Sequence, residues 1–195
     1  MPTKLKPENQ LTIEEFLAFV DQRPDGERWE LIEGVAYMNA SATDVHQTIA
    51  ANIGRVLGNE GIKTAASWVV LMGVGTRVPV SPRSLPQPDV LVKEERLTGT
   101  PTTDDALVLF EVISKSNTNA DQAWRRKVYA SIPNCQHYVT VSQTKTTATR
   151  YDRAADWRGT PVAGLRSALH LPALGPDISI PLREMYRWTP LGGTT

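Results

Sequence analysis

Two carboxylates interrupt apolar runs that otherwise read as buried strands: Asp89 in Gln87-Pro88-Asp89-Val90-Leu91-Val92, and Glu111 in Leu107-Val108-Leu109-Phe110-Glu111-Val112-Ile113. Taking an ionised carboxylate out of water is costly, so two such positions call for compensation, most simply by a divalent cation such as Mg²⁺. An ion held this way positions a water and neutralises charge developing on a scissile phosphodiester. Each acid also has a plainer reading, Asp89 as a turn or edge acid after Pro88 and Glu111 as the partner of an arginine.

That chemistry usually adds a cation facing the phosphate. A helix opening near Asn119 supplies Arg125, Arg126 and Lys127. At about 100° per residue, Trp124, Val128 and Ile132 form an apolar stripe; Arg125 lies nearer its centre than Lys127, and Arg126 points away. If Ala120, Ala123 and Ala130 mark the inner face instead, Lys127 is the inward cation. Periodicity leaves both open. Other chemistries find less support. His46, His137, His170 and the lone Cys135 have no zinc-site spacing, and Gly73-x-Gly75 lacks the phosphate-loop lysine. Ser114 has no base in its sequence context, and Trp124 reads as core packing before base stacking.

The elements that must position these groups are legible in outline. Thr12 and Glu15 form a capping box before Phe16, Leu17, Phe19 and Val20. Residues 29–38 read as a hairpin pivoting near Gly34. Ser41 to Asp44 cap a second helix from about Val45 to Glu60, with Gly61 as its stop. Strands are expected over 66–74, 78–80, 89–93, 107–114 and 137–142. A Thr-rich strand at 146–152 is expected at an edge, further strands at 165–171 and 178–180, and a short closing helix at 182–188. Ser116 to Asn119 offer caps for a third helix running to about Ser131, before Pro133. The order predicts an α/β (α+β) protein, a mixed β-sheet flanked by helices, with residues 1–195 as one domain.

Composition sets the frame. Lys plus Arg equals Asp plus Glu at 21 each, so no global basic field announces a nucleic-acid binder, although a local groove is compatible with that total. A single cysteine excludes an internal disulfide and fits a reducing cytoplasm. Residues 1–10 are polar, and no apolar run approaches membrane length. The expectation is a soluble cytoplasmic protein that does not engage a membrane.

Together these residues resemble the PD-(D/E)xK nuclease superfamily, with its restriction endonuclease-like fold, and more closely the Uma-two family of restriction endonuclease-like proteins. The landmarks run from Leu11 to Tyr186: Leu11-Thr12-x-x-Glu15-Phe16, Trp29-Glu30-Leu31-Ile32-Glu33-Gly34, and His46 opening a helix. Gln87-Pro88-Asp89-Val90, Glu111-Val112-Ile113-Ser114-x-Ser116, Asp121, Tyr129 and Ile132-Pro133 complete them. The resemblance implies Asp89 and Glu111 as metal ligands on neighbouring strands, with Glu30 and His46 near the site; Glu30 and the Val112 carbonyl are expected to help hold the ion. It implies Mg²⁺, or Mn²⁺, as cofactor, DNA as substrate and a homodimer as assembly. Two departures stand out. Ile113 occupies the superfamily's usual lysine position, and Arg125 occupies the helix position where the Uma-two pattern carries its lysine, with Lys127 two residues on. Val35 stands where the family often has a glutamate. Arginine clamps a phosphate but does not shuttle a proton. The expectation is a Mg²⁺-dependent endonuclease; the alternative is a nuclease-fold protein, impaired in catalysis, that binds nucleic acid or a protein.

Overall fold

The computed structural model describes residues 3–5, 10–39, 41–114 and 117–193; Ser116 of the resemblance lies outside them. Strand β1 (Thr3–Leu5) precedes helix α1 (Ile13–Val20), whose capping box is formed by Thr12 and Glu15 as expected. Strands β2 (Arg28–Ile32) and β3 (Val35–Asn39) make the hairpin, turning through Glu33 and Gly34 at φ 49° and 76°. Both central residues in the left-handed region is the geometry that matches strand twist in a tight hairpin. A three-stranded sheet in the order β1-β3-β2 results.

Helix α2 (Asp44–Thr64) is longer than its sequence signals suggest. It is capped by Thr43 and runs through Gly61, ending at Ala65 in the left-handed conformation. Gly61 is there for a close approach: a Cβ at that position would meet the Trp68 ring at 3.1 Å. Strands β4 (Trp68–Leu71), β5 (Gly75–Thr76), β6 (Val90–Glu94), β7 (Thr102–Thr103) and β8 (Val108–Ile113) follow. Residues 78–80 form no strand; Val78 is instead a buried turn residue, its carbonyl accepting from Ser81 N–H. Helix α3 (Asn119–Ala130), capped by Thr118 with Asp121, crosses over to β9 (His137–Ser142). Strands β10 (Thr147–Asp152), β11 (Arg158–Ala163), β12 (Ala168–His170) and β13 (Ser179–Pro181) lead to helix α4 (Leu182–Met185).

The central sheet has six strands in the order β11-β10-β9-β8-β6-β4, mixed because β8 and β9 run parallel while their neighbours are antiparallel. Strand β10 is therefore interior, and β11 takes the edge expected for it. Alternation along the strands splits the core in two. Val90, Val92, Val108, Phe110, Val112, Val139 and Val141 pack with α2 and the C-terminal elements. Leu91, Leu109 and Tyr138 pack with Val128, Tyr129 and Ile132 of the α3 region. The hairpin covers a third cluster with α1 and Leu85. Leu85 N–H donates to Leu31 O and Gly34 N–H to Arg83 O, which fastens the hairpin to the segment that leads into β6.

Candidate functional site

Asp89 precedes β6, where its N–H donates to Phe110 O. Val90 lies opposite Phe110, so extending the antiparallel register by one residue sets Asp89 beside Glu111. Both share the alternation of Leu91 and Leu109, towards α3. The Val112 N–H donates to Asp89 Oδ2 over 2.8 Å, leaving Oδ1 for other work. Oδ1 lies 2.9 Å from Nε2 of His46, which enters from the first turn of α2. The distance is that of a hydrogen bond, but the alignment is not, and Nε2 is buried without any other partner among the described residues.

Arg125 settles the direction that periodicity left open. One of its terminal nitrogens donates to Glu111 Oε1 at 2.8 Å and the other to Glu30 Oε2 at 2.7 Å. Its side chain is 12% exposed, against 3% for Glu30 and 9% for Glu111. Tyr129, one helical turn further on, donates its hydroxyl to the same Glu111 Oε1 at 2.7 Å and accepts from Arg125 at 3.1 Å. Gln87 N–H donates to the remaining oxygen of Glu30 at 2.7 Å. Lys127 is exposed on α3 and makes none of these contacts. Trp124 packs against the α3 core and donates to Glu33 Oε1 at 3.3 Å.

The electrostatics follow from one guanidinium serving two buried acids. Burial alone would raise Glu30, but Arg125 and the Gln87 amide hold its carboxyl below the ordinary value. Burial pushes Glu111 up to about 8 in spite of Arg125, and the like charges of Asp89 and Glu30 push the same way. Burial, then the neighbouring Glu111, keep Tyr129 protonated and thus a donor. Signals for Glu30 and Tyr129 existed only in the resemblance; local pattern marked neither as a partner of Glu111. His137 meets Asp152 at 2.7 Å through Nδ1 and accepts from Ala173 N–H through Nε2, at the other end of β9 from the residue opposite Glu111.

Do these residues fit a divalent ion? Asp89 Oδ1 and His46 Nε2 are spaced like two adjacent ligands of an octahedral ion, whose bonds of about 2.1 Å at right angles put ligands about 3.0 Å apart. Among the described residues, no three His, Cys, Asp or Glu side chains gather closely enough to cage an ion. Mg²⁺ does not need such a cage, since it commonly takes one or two carboxylates and completes its shell with water and phosphate oxygen. The donor set fits an open site. Among the described residues, no helix is long and apolar enough to cross a membrane.

Comparison with known proteins bears on the family and the fold. The profile of a family named Uma2 and described as "putative restriction endonuclease" matches residues 13–183. The crystal structure of "a putative nuclease belonging to DUF820" from Anabaena variabilis ATCC 29413 superposes with a TM-score of 0.71 at 14% identity, over 91% of this chain and 98% of that one. That likeness establishes the fold. A cryo-EM structure of a DrdV–DNA complex matches more loosely, with a TM-score of 0.40 at 13% identity, over 72% of this chain and 11% of that one. No curated protein matches.

Proposed function

Because this chain belongs to the Uma2 family of restriction endonuclease-like proteins, we propose that it is a metal-dependent endonuclease hydrolysing phosphodiester bonds in DNA. The observation that carries the reading is the meeting of Asp89 Oδ1 with His46 Nε2 beside the Glu111 strand. Asp89 and Glu111 are the ligands we assign to Mg²⁺ or Mn²⁺, with His46 Nε2 and the Val112 carbonyl as further ligands. When bound, the ion would supply an acidified water and charge neutralisation at the phosphate. The protein's own groups do the rest. The Val112 amide fixes which oxygen of Asp89 faces the site. Arg125 and Tyr129 both engage Glu111 Oε1 and so fix the orientation of that carboxyl. Glu30 holds the other arm of Arg125 and so sets where that cation stands.

The test is plasmid cleavage with Mg²⁺ or Mn²⁺, comparing wild type with Asp89→Ala, Arg125→Ala and Lys127→Ala. Cleavage should vanish in Asp89→Ala and survive in Lys127→Ala. Undiminished cleavage by Asp89→Ala sinks the reading. One observation favours a second reading, a non-catalytic module that binds nucleic acid or a protein: Arg125 directs both terminal nitrogens at carboxylates instead of outward to a phosphate. Absence of both cleavage and calorimetric metal binding would favour that module.

A further inference from the structure

Trp188 stands 74% exposed, just past the end of α4, on a backbone held at φ 62°. Left-handed backbone in a bulky residue is strained and persists only where its surroundings enforce it. They do so here. The buried Asn52 of α2 donates from one amide nitrogen to Met185 O at 3.2 Å and Arg187 O at 2.7 Å. Thr189, also buried, donates to Tyr186 O at 2.7 Å. Tyr186 is fully buried, and its hydroxyl sits 2.8 Å from Ser142 O and 2.9 Å from Thr147 O. The turn is thus clamped on both sides of a large apolar ring that the fold leaves in water.

The ring is flanked by cations. The guanidiniums of Arg55 and Arg187 lie over the ring, their central carbons 5.6 and 5.9 Å from its centre. Arg55, Arg187 and the exposed Arg183 share a single touching carboxylate, Glu184, at 3.2, 2.6 and 4.0 Å. The adjoining cleft adds Lys63, paired with Glu60 at 3.4 Å, and Asp177. The charges against the ring itself are positive, in a chain whose total is zero.

We propose that Trp188, Arg55 and Arg187 form a binding platform for single-stranded nucleic acid, with an unpaired base stacked on the indole and its phosphate on the guanidiniums. The proposal takes from the nuclease reading only the identity of the polymer. An aromatic ring still 74% exposed beneath two planar cations suits a nucleotide, which carries a π-face and a phosphate on one unit. A duplex offers no free base face. An acidic peptide would engage the arginines and leave the ring unused.

The experiment is fluorescence anisotropy of a labelled dT oligomer of about 10 nucleotides in EDTA, so that cleavage plays no part. Trp188→Gly removes the ring and suits the positive φ, so folding is not at risk; Trp188→Phe retains a stacking surface. Trp188→Gly should weaken single-strand binding by about five- to hundredfold, and Trp188→Phe should recover most of the affinity. Arg187→Gln should lower the slope of log affinity against log salt by about 0.7. Equal affinity of wild type and Trp188→Gly for the single strand overturns the proposal. So does equally tight, Trp188-dependent binding of the matched duplex or of a poly-glutamate peptide, the latter pointing to a protein partner. Because binding is read without metal, loss of cleavage would refute the nuclease reading while leaving this result intact.

Discussion

Arg125 on α3 and Glu30 on β2, 95 residues apart in sequence, meet through a 2.7 Å contact in which both side chains are almost wholly buried. Through its other arm the same guanidinium reaches Glu111, so one cation ties together two acidic side chains from two different sheets. The arrangement is paid for in desolvation and repaid only while every partner is present.

Removing the cation should therefore be expensive. Arg125→Ala leaves the ionised Glu30 buried without its cation and takes a donor from Glu111, with an expected loss of about 3–5 kcal/mol. Arg125→Lys keeps the charge but not the fork and should fall between. Urea denaturation at neutral pH measures both; an Arg125→Ala protein as stable as wild type would show that Glu30 does not need Arg125 to carry its charge.

Stability should depend on pH through Glu111. Its ordinary value of 4.5 is raised to about 8 in the fold, so the folded state holds a proton that the unfolded chain gives up between those values. The contribution is complete below about pH 4.5 and is lost as pH rises through about 8, amounting at most to about 5 kcal/mol. Glu111→Gln, which cannot titrate, should flatten the slope of stability against pH across that window. An unchanged slope in Glu111→Gln would assign the titration to another group.

Metal binding should follow the Asp89–His46 pair. Asp89→Ala and His46→Ala should each weaken Mn²⁺ binding by at least about tenfold, the lower end seen even for groups one shell further out. A nitrogen donor also favours Mn²⁺ over Mg²⁺. Isothermal titration calorimetry with each ion decides; full affinity in His46→Ala would confine His46 to orienting Asp89.

Tyr129→Phe keeps the ring in its cluster but deletes the hydroxyl that donates to Glu111 and accepts from Arg125. The expected cost is about 1–3 kcal/mol, measurable by thermal or chemical denaturation. A neutral result would mean that Arg125 alone satisfies Glu111 Oε1.

What the sequence disclosed, and what it hid, divides along range. Asp89 and Glu111 were visible because each breaks a local strand pattern. The inward turn of Arg125 was not, because Glu30, which helps draw it there, lies on a distant hairpin. Strand β11 escaped notice for a different reason. Arg158–Ala163 is mostly exposed and contains Gly159 and Pro161, so it has no apolar alternation, and its place is set by pairing with β10. That omission is also why β10 read as an edge. Gly61 looked like a helix stop because its actual role, making room for Trp68, is a tertiary contact.

The crossover through α3 between parallel strands β8 and β9 has a bearing on the order of assembly. Glu111, Arg125 and Tyr129 lie within 18 residues of chain and can come together early. Glu30 must arrive over a far longer loop, whose closure costs more entropy and comes later. Until the hairpin docks, one arm of Arg125 remains open to water. The ion pair with Glu30 then acts as a keystone, set last, and hydrogen exchange should find β2 and β3 opening before β8 and β9 do.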